Sequence, residues 1–375
     1  MLASVVITNH DYVRYVGAAI DSALAQTHAP VEVVVVDDGS TDGSREVIAG
    51  YGARVRAVLK PNGGHESAIN AGFAASRGEI VAFLDADDLL DPGALAAVVS
   101  EFRREPFAKA HWPLREIDEH GHDHGGIDPP APLDEGDLLP RAAERGPGFY
   151  VTPPMSGNAF ARDALERILP MPEDERLCAD GFLYDLAPLF GRVARLDAPL
   201  GAVRKHASGF FGKGFEERLP RTVRTHERLI EAMAERCREL GMEPDPAHWR
   251  ERSWPLRQQR ALRELDATVP LGSPFAYVDD GRWGLQPTAR RPALPLAPAE
   301  EEASLAELER LRERGARFAV VPWSTFPWLH RARRFERGLR GSGAVVVDND
   351  RLLVVALDGG PVPPARGDDG DAGRS

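Results

Sequence analysis

The chain has 375 residues, 43% apolar and 28% charged, which suits two or three globular domains with a large buried core. Its 58 acidic residues against 46 basic ones give a formal charge of −12 and exclude a whole-chain nucleic-acid binder, which needs a basic surface. Two cysteines, Cys178 and Cys237, exclude a disulfide scaffold and a cysteine-based zinc domain, and they suit a reducing cytoplasm.

The first hundred residues alternate strand and helix patterns. Ser4 to Thr8 is a short β-branched run, and Val13, Val16, Ile20 and Leu24 form one helical stripe over 13–26. Val31 to Val36 reads as a strand buried on both faces, ending in Asp37-Asp38-Gly39-Ser40-Thr41-Asp42. A third strand over 54–59, the turn Pro61-Asn62-Gly63-Gly64 and a helix over 66–75 follow. Glu79 to Leu84 is a fourth strand, ending in Asp85-Ala86-Asp87-Asp88, and Pro92 opens the next helix. This alternation implies a mostly parallel α/β sheet, whose ligands sit at the carboxyl ends of the strands. Both acidic loops lie on that edge.

Beyond Lys109 the pattern weakens into a hairpin and a long loop up to Pro154. Ser156 to Phe160 enters a helix, 180–190 is another, and 193–203 holds an edge strand. From Arg204 to Arg263 there are 14 Lys/Arg against 9 Asp/Glu, with an amphipathic helix over 222–240. A second, smaller α/β pattern runs over 266–358: strands at 275–278, 318–321, 344–347 and 352–356, and helices at 301–314 and near Phe335. The tail 359–375, rich in Pro, Gly and Asp, is expected to be disordered. Met1-Leu2-Ala3-Ser4-Val5 carries no positive n-region, so no signal peptide is expected. No apolar run approaches the roughly 18 residues of a membrane helix.

Three Asp-x-Asp patterns occur: Asp85/Asp87, Asp348/Asp350 and Asp369/Asp371. Only the first follows a buried strand on the ligand-binding edge. Two carboxylates there make an oxygen-rich site for Mg²⁺ or Mn²⁺, which completes its coordination with water and substrate phosphates. The plainer reading is an acidic turn that caps the next helix.

Four motifs then coincide in order and spacing. They are Val5-Val6-Ile7-Thr8-Asn9; Val33 to Val36 with Asp37-Asp38-Gly39-Ser40-Thr41-Asp42; Asn62-Gly63-Gly64 with Ala68, Asn70, Ala71 and Gly72; and Phe83-Leu84-Asp85-Ala86-Asp87-Asp88. Together they closely resemble the family 2 glycosyltransferases of GT-A fold, over residues 1–206. The resemblance implies a Rossmann-like, mostly parallel GT-A domain there; the composition shift adds a basic helical segment over 207–265, and the second pattern a smaller C-terminal α/β module over 266–358.

The resemblance also implies roles. Thr8 begins the nucleotide pocket, and His10 stands where a base-stacking Tyr is commoner. Asp37 and Asp38 recognise base and ribose, Gly64 and His65 begin the helix bordering the nucleotide, and Asp85 with Ala86 contacts the ribose. Asp87 binds the metal on the diphosphate, and His206 matches a late histidine that approaches it. Ser156, Gly157 and Asn158 match the acceptor-side loop. Asp180 matches the second member of an acidic pair, the general base of inverting enzymes, whose first acid is replaced here by Ala179. Helix capping is the plainer role of Asp37, Asp38 and Asp180.

The function so implied is cytoplasmic, metal-dependent transfer of a sugar, with inversion, from a nucleotide diphosphate sugar to a hydroxyl of a glycan or lipid-linked acceptor. The basic stretch 204–263 is either a solvated face or a contact with an anionic membrane. An inactive glycan- or nucleotide-sugar-binding scaffold is the alternative. A nucleotidyltransferase fits less well, since Asn9-His10-Asp11-Tyr12 is no Gly-rich basic loop. His111, His120, His122 and His124 read as a solvated hairpin tip rather than a metal cluster, and Trp323 and Trp328 as packing residues.

Overall fold

The computed structural model describes residues 1–173, 178–206, 215–279, 285, 288 and 291–357, with side chains at 215 and 216 excepted. The tail 359–375 lies outside the described residues. The chain divides into one unit of Met1–Lys213 with Pro220–Ser253, and another of Gly214–Leu219 with Trp254–Ser375.

The first unit begins with β1 (Ala3–Asn9), α1 (Val16–Leu24), β2 (Val31–Asp38), α2 (Ser44–Gly50), β3 (Arg56–Lys60), α3 (His65–Ala75) and β4 (Ile80–Asp85). β5 (Leu89–Leu90), α4 (Ala94–Arg104), β6 (Phe107–His111), β7 (Leu114–Ile117), β8 (Asp123–Asp128) and α5 (Leu139–Arg145) follow. Then come β9 (Asn158–Ala161), α6 (Arg162–Glu166), α7 (Ala179–Leu186), β10 (Arg192–Arg195), β11 (Gly201–Arg204), α8 (Phe215–Glu239), which belongs to this unit from Pro220 onward, and α9 (Pro246–Arg252). Seven strands form the main sheet in the order β10-β6-β9-β4-β1-β2-β3. β1, β2, β3 and β4 pair in parallel, whereas β9 runs antiparallel to both β4 and β6. A smaller sheet, β5-β11-β7-β8, accompanies it.

The alternation of the central strands decides what each face buries. Val5, Ile7, Val33, Val35, Ile80 and Leu84 pack with Val16, Ile20, Leu95 and Val98 of α1 and α4. Val6, Val34 and Val36, also fully buried, line the opposite face. α3 lies on that face so closely that a Cβ at Gly72 would sit 2.3 Å from a Val6 methyl carbon. With both faces covered, β2 is the near-continuous apolar run that its sequence predicts.

Four expectations need correction. Ser156 to Phe160 does not enter a helix: a 3₁₀ turn, Met155–Gly157, leads into β9. The segment 193–203 is two strands in two sheets, β10 and β11. β6 joins the main sheet although it carries Lys109 and His111, both fully buried. The helix after Pro92 starts later than expected, at Ala94.

The second unit holds α10 (Trp254–Thr268), β12 (Phe275–Val278), β13 (Ala293–Leu296), α11 (Glu301–Glu313), β14 (Phe318–Pro322), α12 (Phe326–Leu329), α13 (Arg333–Gly341), β15 (Ala344–Asp348) and β16 (Leu352–Ala356). Its sheet order is β13-β12-β14-β16-β15. Leu308, Leu311, Phe335 and Leu339 pack against Ala276, Ala319, Val321 and Val355 as its core. Trp323 is buried there, edge-on to Trp254, and Trp328 packs on Phe335.

Candidate active site

The carboxyl ends of β1, β2 and β4 stand side by side, Thr8 opposite both Val36 and Asp85, and Asn9 opposite Asp37. The loops leaving these strands are tied together. Asp11 accepts from the Thr41 backbone at 2.7 Å and donates its own N–H to Ser40 Oγ at 2.9 Å. Gly39 has φ +81°, and a Cβ there would lie 2.5 Å from the Asn62 nitrogen, so only glycine fits. His10 stands exposed at the mouth, 3.0 Å from the Asn62 amide.

Asp37 and Asp38 are buried and engaged. Burial raises the Asp37 pKa, but bonds from Ser40, Arg45 and Asn9 outweigh it and leave the carboxyl below its ordinary range. Asp38 accepts Lys60 at 2.6 Å and the Gly63 and Gly64 backbone N–H groups at 2.9 and 2.8 Å. It therefore shapes the turn that starts α3, a role that its place after β2 in the sequence does not reveal.

His65 is the first residue of α3. Its Nε2 lies 3.3 Å from Thr8 Oγ1 and 3.7 Å from Asp85 Oδ1, and its Nδ1 lies 3.6 Å from Asp180 Oδ1. Asp180 stands in the first turn of α7, partly exposed. Its neighbour Ala179 is fully buried. The structure thus brings Thr8, His65, Asp85 and Asp180 into one cluster. Next to His65, Glu66 is fully buried, neither carboxylate oxygen finds a hydrogen-bond partner among the described residues, and desolvation raises its pKa.

The loop after β4 gathers three carboxylates. Desolvation, then Asp180, Asp88 and Asp87, hold the Asp85 carboxyl well above its usual pKa. Desolvation and Asp87 push Asp88 up to about 8, although Ser156 Oγ and the Arg204 backbone N–H donate to it at 2.6 and 2.8 Å. Asp87 Oδ2 is 2.8 Å from His206 Nε2. Tyr12 and Tyr15 pack on the His206 ring, centroids 5.8 and 5.3 Å away. The Arg204 guanidinium lies over Tyr15 and donates to the Asp87 carbonyl at 2.8 Å. Tyr12, Tyr15 and Arg204 are not singled out by the sequence motifs, though the i, i+3 spacing of the tyrosines on an acidic-site loop is a usable signal.

Ser156, Gly157 and Asn158 are buried. Ser156 also accepts the Asp85 backbone N–H at 3.1 Å, and a Cβ at Gly157 would meet the Trp112 carbonyl at 2.7 Å. The Asn158 amide donates to the Pro154 carbonyl at 2.7 Å. They form the floor beneath the acidic loop rather than its opening.

Among the described residues, no group of three or more His, Cys, Asp or Glu side chains is arranged to hold a metal ion. His120 and His122 are exposed on the β7–β8 connection, whereas His111 is buried inside the main sheet. Asp87 and His206 offer a carboxylate and an imidazole, a two-ligand set of the kind that a divalent cation completes with phosphate oxygens and water.

Residues 4–133 match the family described as Glycosyl transferase family 2. An uncharacterized glycosyltransferase of Nostoc sp. is 38% identical over 213 residues, 56% of this chain and 66% of that protein. The chondroitin synthase of Pasteurella multocida is 40% identical over 107 residues, 28% of this chain but only 11% of that protein. The chain thus matches less than two thirds of either relative's length. Among solved structures, S. aureus TarS 1-349 in complex with UDP-GlcNAc superposes with a TM-score of 0.54, covering 96% of this chain and 99% of that one. At 17% identity this likeness shows the fold.

Proposed function

We propose, from the premise that this chain belongs to the family 2 glycosyltransferases through its N-terminal domain, that it moves a sugar from a nucleotide diphosphate sugar to a hydroxyl of a glycan or lipid-linked acceptor, with inversion. The observation that carries the reading is the meeting of Thr8, His65, Asp85 and Asp180 beside Asp87 and His206 on one sheet edge. Nucleotide-sugar binding suits this edge, where the parallel strands β1, β2 and β4 end.

In this reading His10, Asp37, Asp38 and the Gly64 turn border the nucleoside, and Asp85 with Ala86 meets the ribose. Asp87 and His206 would hold Mg²⁺ or Mn²⁺, which would supply positive charge to the leaving diphosphate. Asp180 accepts the acceptor hydroxyl proton as that oxygen bonds to the anomeric carbon and the bond to the diphosphate oxygen breaks. In this reading residues 1–206 carry the transferase function and 266–358 are an appended module. No helix among the described residues is long and apolar enough to cross a membrane. In this reading the basic stretch 204–263 contacts an anionic membrane that carries a lipid-linked acceptor.

A thermal-shift screen of UDP-, GDP-, ADP- and dTDP-sugars with and without Mn²⁺, followed by product analysis on the best donor, tests the reading. Mn²⁺-dependent stabilisation by one donor class, and its turnover, are expected. Binding without turnover would favour the scaffold that the substitution at Ala179 allows. No binding by any donor overturns the proposal.

A further inference from the structure

We propose that His65 is a positioning residue for the general base: its imidazole, anchored on Thr8 and Asp85, holds the Asp180 carboxylate toward the acceptor. This inference rests on the reading of Asp180 as the base.

The anchoring is built into the fold. His65 follows Gly64, whose φ of +93° turns the chain into α3. Asp38 fixes that turn through the backbone N–H groups of Gly63 and Gly64. The imidazole therefore starts from a rigid point. Its two nitrogens face different walls: Nε2 the strand ends at Thr8 and Asp85, Nδ1 the start of α7 at Asp180.

Asp180 needs such a partner. It projects from the first turn of α7 with 37% of its side chain exposed, so packing alone does not fix its carboxylate. The preceding residue is alanine, which has no polar atom to orient it. A base acts when one oxygen is held and the other faces the proton it removes. His65 Nδ1 stands within ion-pair range of Oδ1, and the Tyr184 phenol, one turn along α7, borders the same carboxylate. Of the neighbouring carboxylates, Asp85 crowds Asp180 and Glu66 is fully buried.

This role differs measurably from direct binding of the nucleotide. If His65 served mainly to bind the nucleotide, its truncation would raise the donor Kd, whereas a misoriented base lowers kcat. For His65→Ala, donor Kd is expected to stay within about threefold and kcat to fall about 10²-fold. His65→Ala combined with Asp180→Asn should be no slower than Asp180→Asn alone, because both act through one group. His65→Gln, which keeps a donor, should recover part of kcat. A donor Kd raised as much as kcat falls, or additive losses in the double variant, overturns the proposal. Imidazole ¹⁵N spectra supply a readout independent of turnover. Asp180→Asn should move the His65 Nδ1 resonance more than Nε2. If the wild type transfers no sugar from any donor, the reading of the base fails, and an unmoved Nδ1 separately refutes the His65–Asp180 pairing.

Discussion

The Ser156 hydroxyl donates to the Asp88 carboxylate at 2.6 Å and accepts the Asp85 backbone N–H at 3.1 Å. One side chain thus clamps both ends of the acidic loop from beneath. The loop's geometry is set by a residue 68 positions downstream of Asp88.

Ser156→Ala should therefore act on stability and donor binding together. It leaves a buried carboxyl and a backbone N–H each short of a partner, which costs about 1–3 kcal/mol. A lower melting temperature and weaker nucleotide-sugar affinity are expected. An unchanged melting temperature with selective loss of acceptor use would return Ser156 to the acceptor side.

The central strands are legible in the sequence because Val33 to Val36 are buried on both faces and leave no polar position to confuse the period. β6 is not. Its alternation puts Phe107, Lys109 and His111 on one face, which reads as polar. The partners that permit burial, Tyr150 and Thr152, come 41 and 43 residues later. The site divides in the same way. Asp85 and Asp87 stand out by following a buried strand, whereas the pairing of His65 with Asp180 arises only when α7 packs near α3.

Asp87 and His206 make the next prediction. Asp87→Asn removes the anionic member of the pair and should abolish the tightening of nucleotide-sugar binding by Mn²⁺. His206→Ala removes a neutral ligand and should weaken that tightening without abolishing it. Calorimetric titrations with Mn²⁺ and with EDTA decide the matter. Full Mn²⁺ dependence in Asp87→Asn would move the metal elsewhere.

Lys109 and Asp185 should give opposite pH slopes. Desolvation lowers the Lys109 pKa well below its ordinary value, and the amine lies beside Tyr150 Oη at 2.7 Å. Desolvation raises Asp185 to about 7. Between its folded and unfolded pKa values, the unfolded chain binds the lysine proton and the native one does not, so stability rises with pH. For Asp185 the native state keeps a proton that the unfolded chain has released, so stability falls from about pH 4 to about pH 7. In the wild type these slopes oppose. Lys109→Met should leave only the falling one, up to roughly 4 kcal/mol, and Asp185→Asn only the rising one. Urea midpoints at pH 5, 6, 7 and 8 check both signs. Wild-type slopes in both variants would mean that neither group binds its proton differently in the folded and the unfolded chain.

The decisive variant is Asp180→Asn. A sugar hydroxyl holds its proton tightly at neutral pH, so transfer needs a nearby group to take it. Asn has the size of Asp and still accepts hydrogen bonds in the first turn of α7, where Asp180 stands. It cannot take the proton. General-base help is worth about 10²–10⁴-fold, and single-turnover transfer should fall by that factor. Donor affinity and melting temperature should stay near wild type, since α7 starts without a side-chain capping bond and Asp180 is partly exposed. Removing its charge also lifts the largest carboxylate repulsion on Asp85, so donor binding has no electrostatic reason to weaken. Transfer at the wild-type rate would show that another group takes the proton. Loss of donor affinity in step with transfer would place Asp180 against the donor instead, and the acceptor would then approach from a different wall of the site.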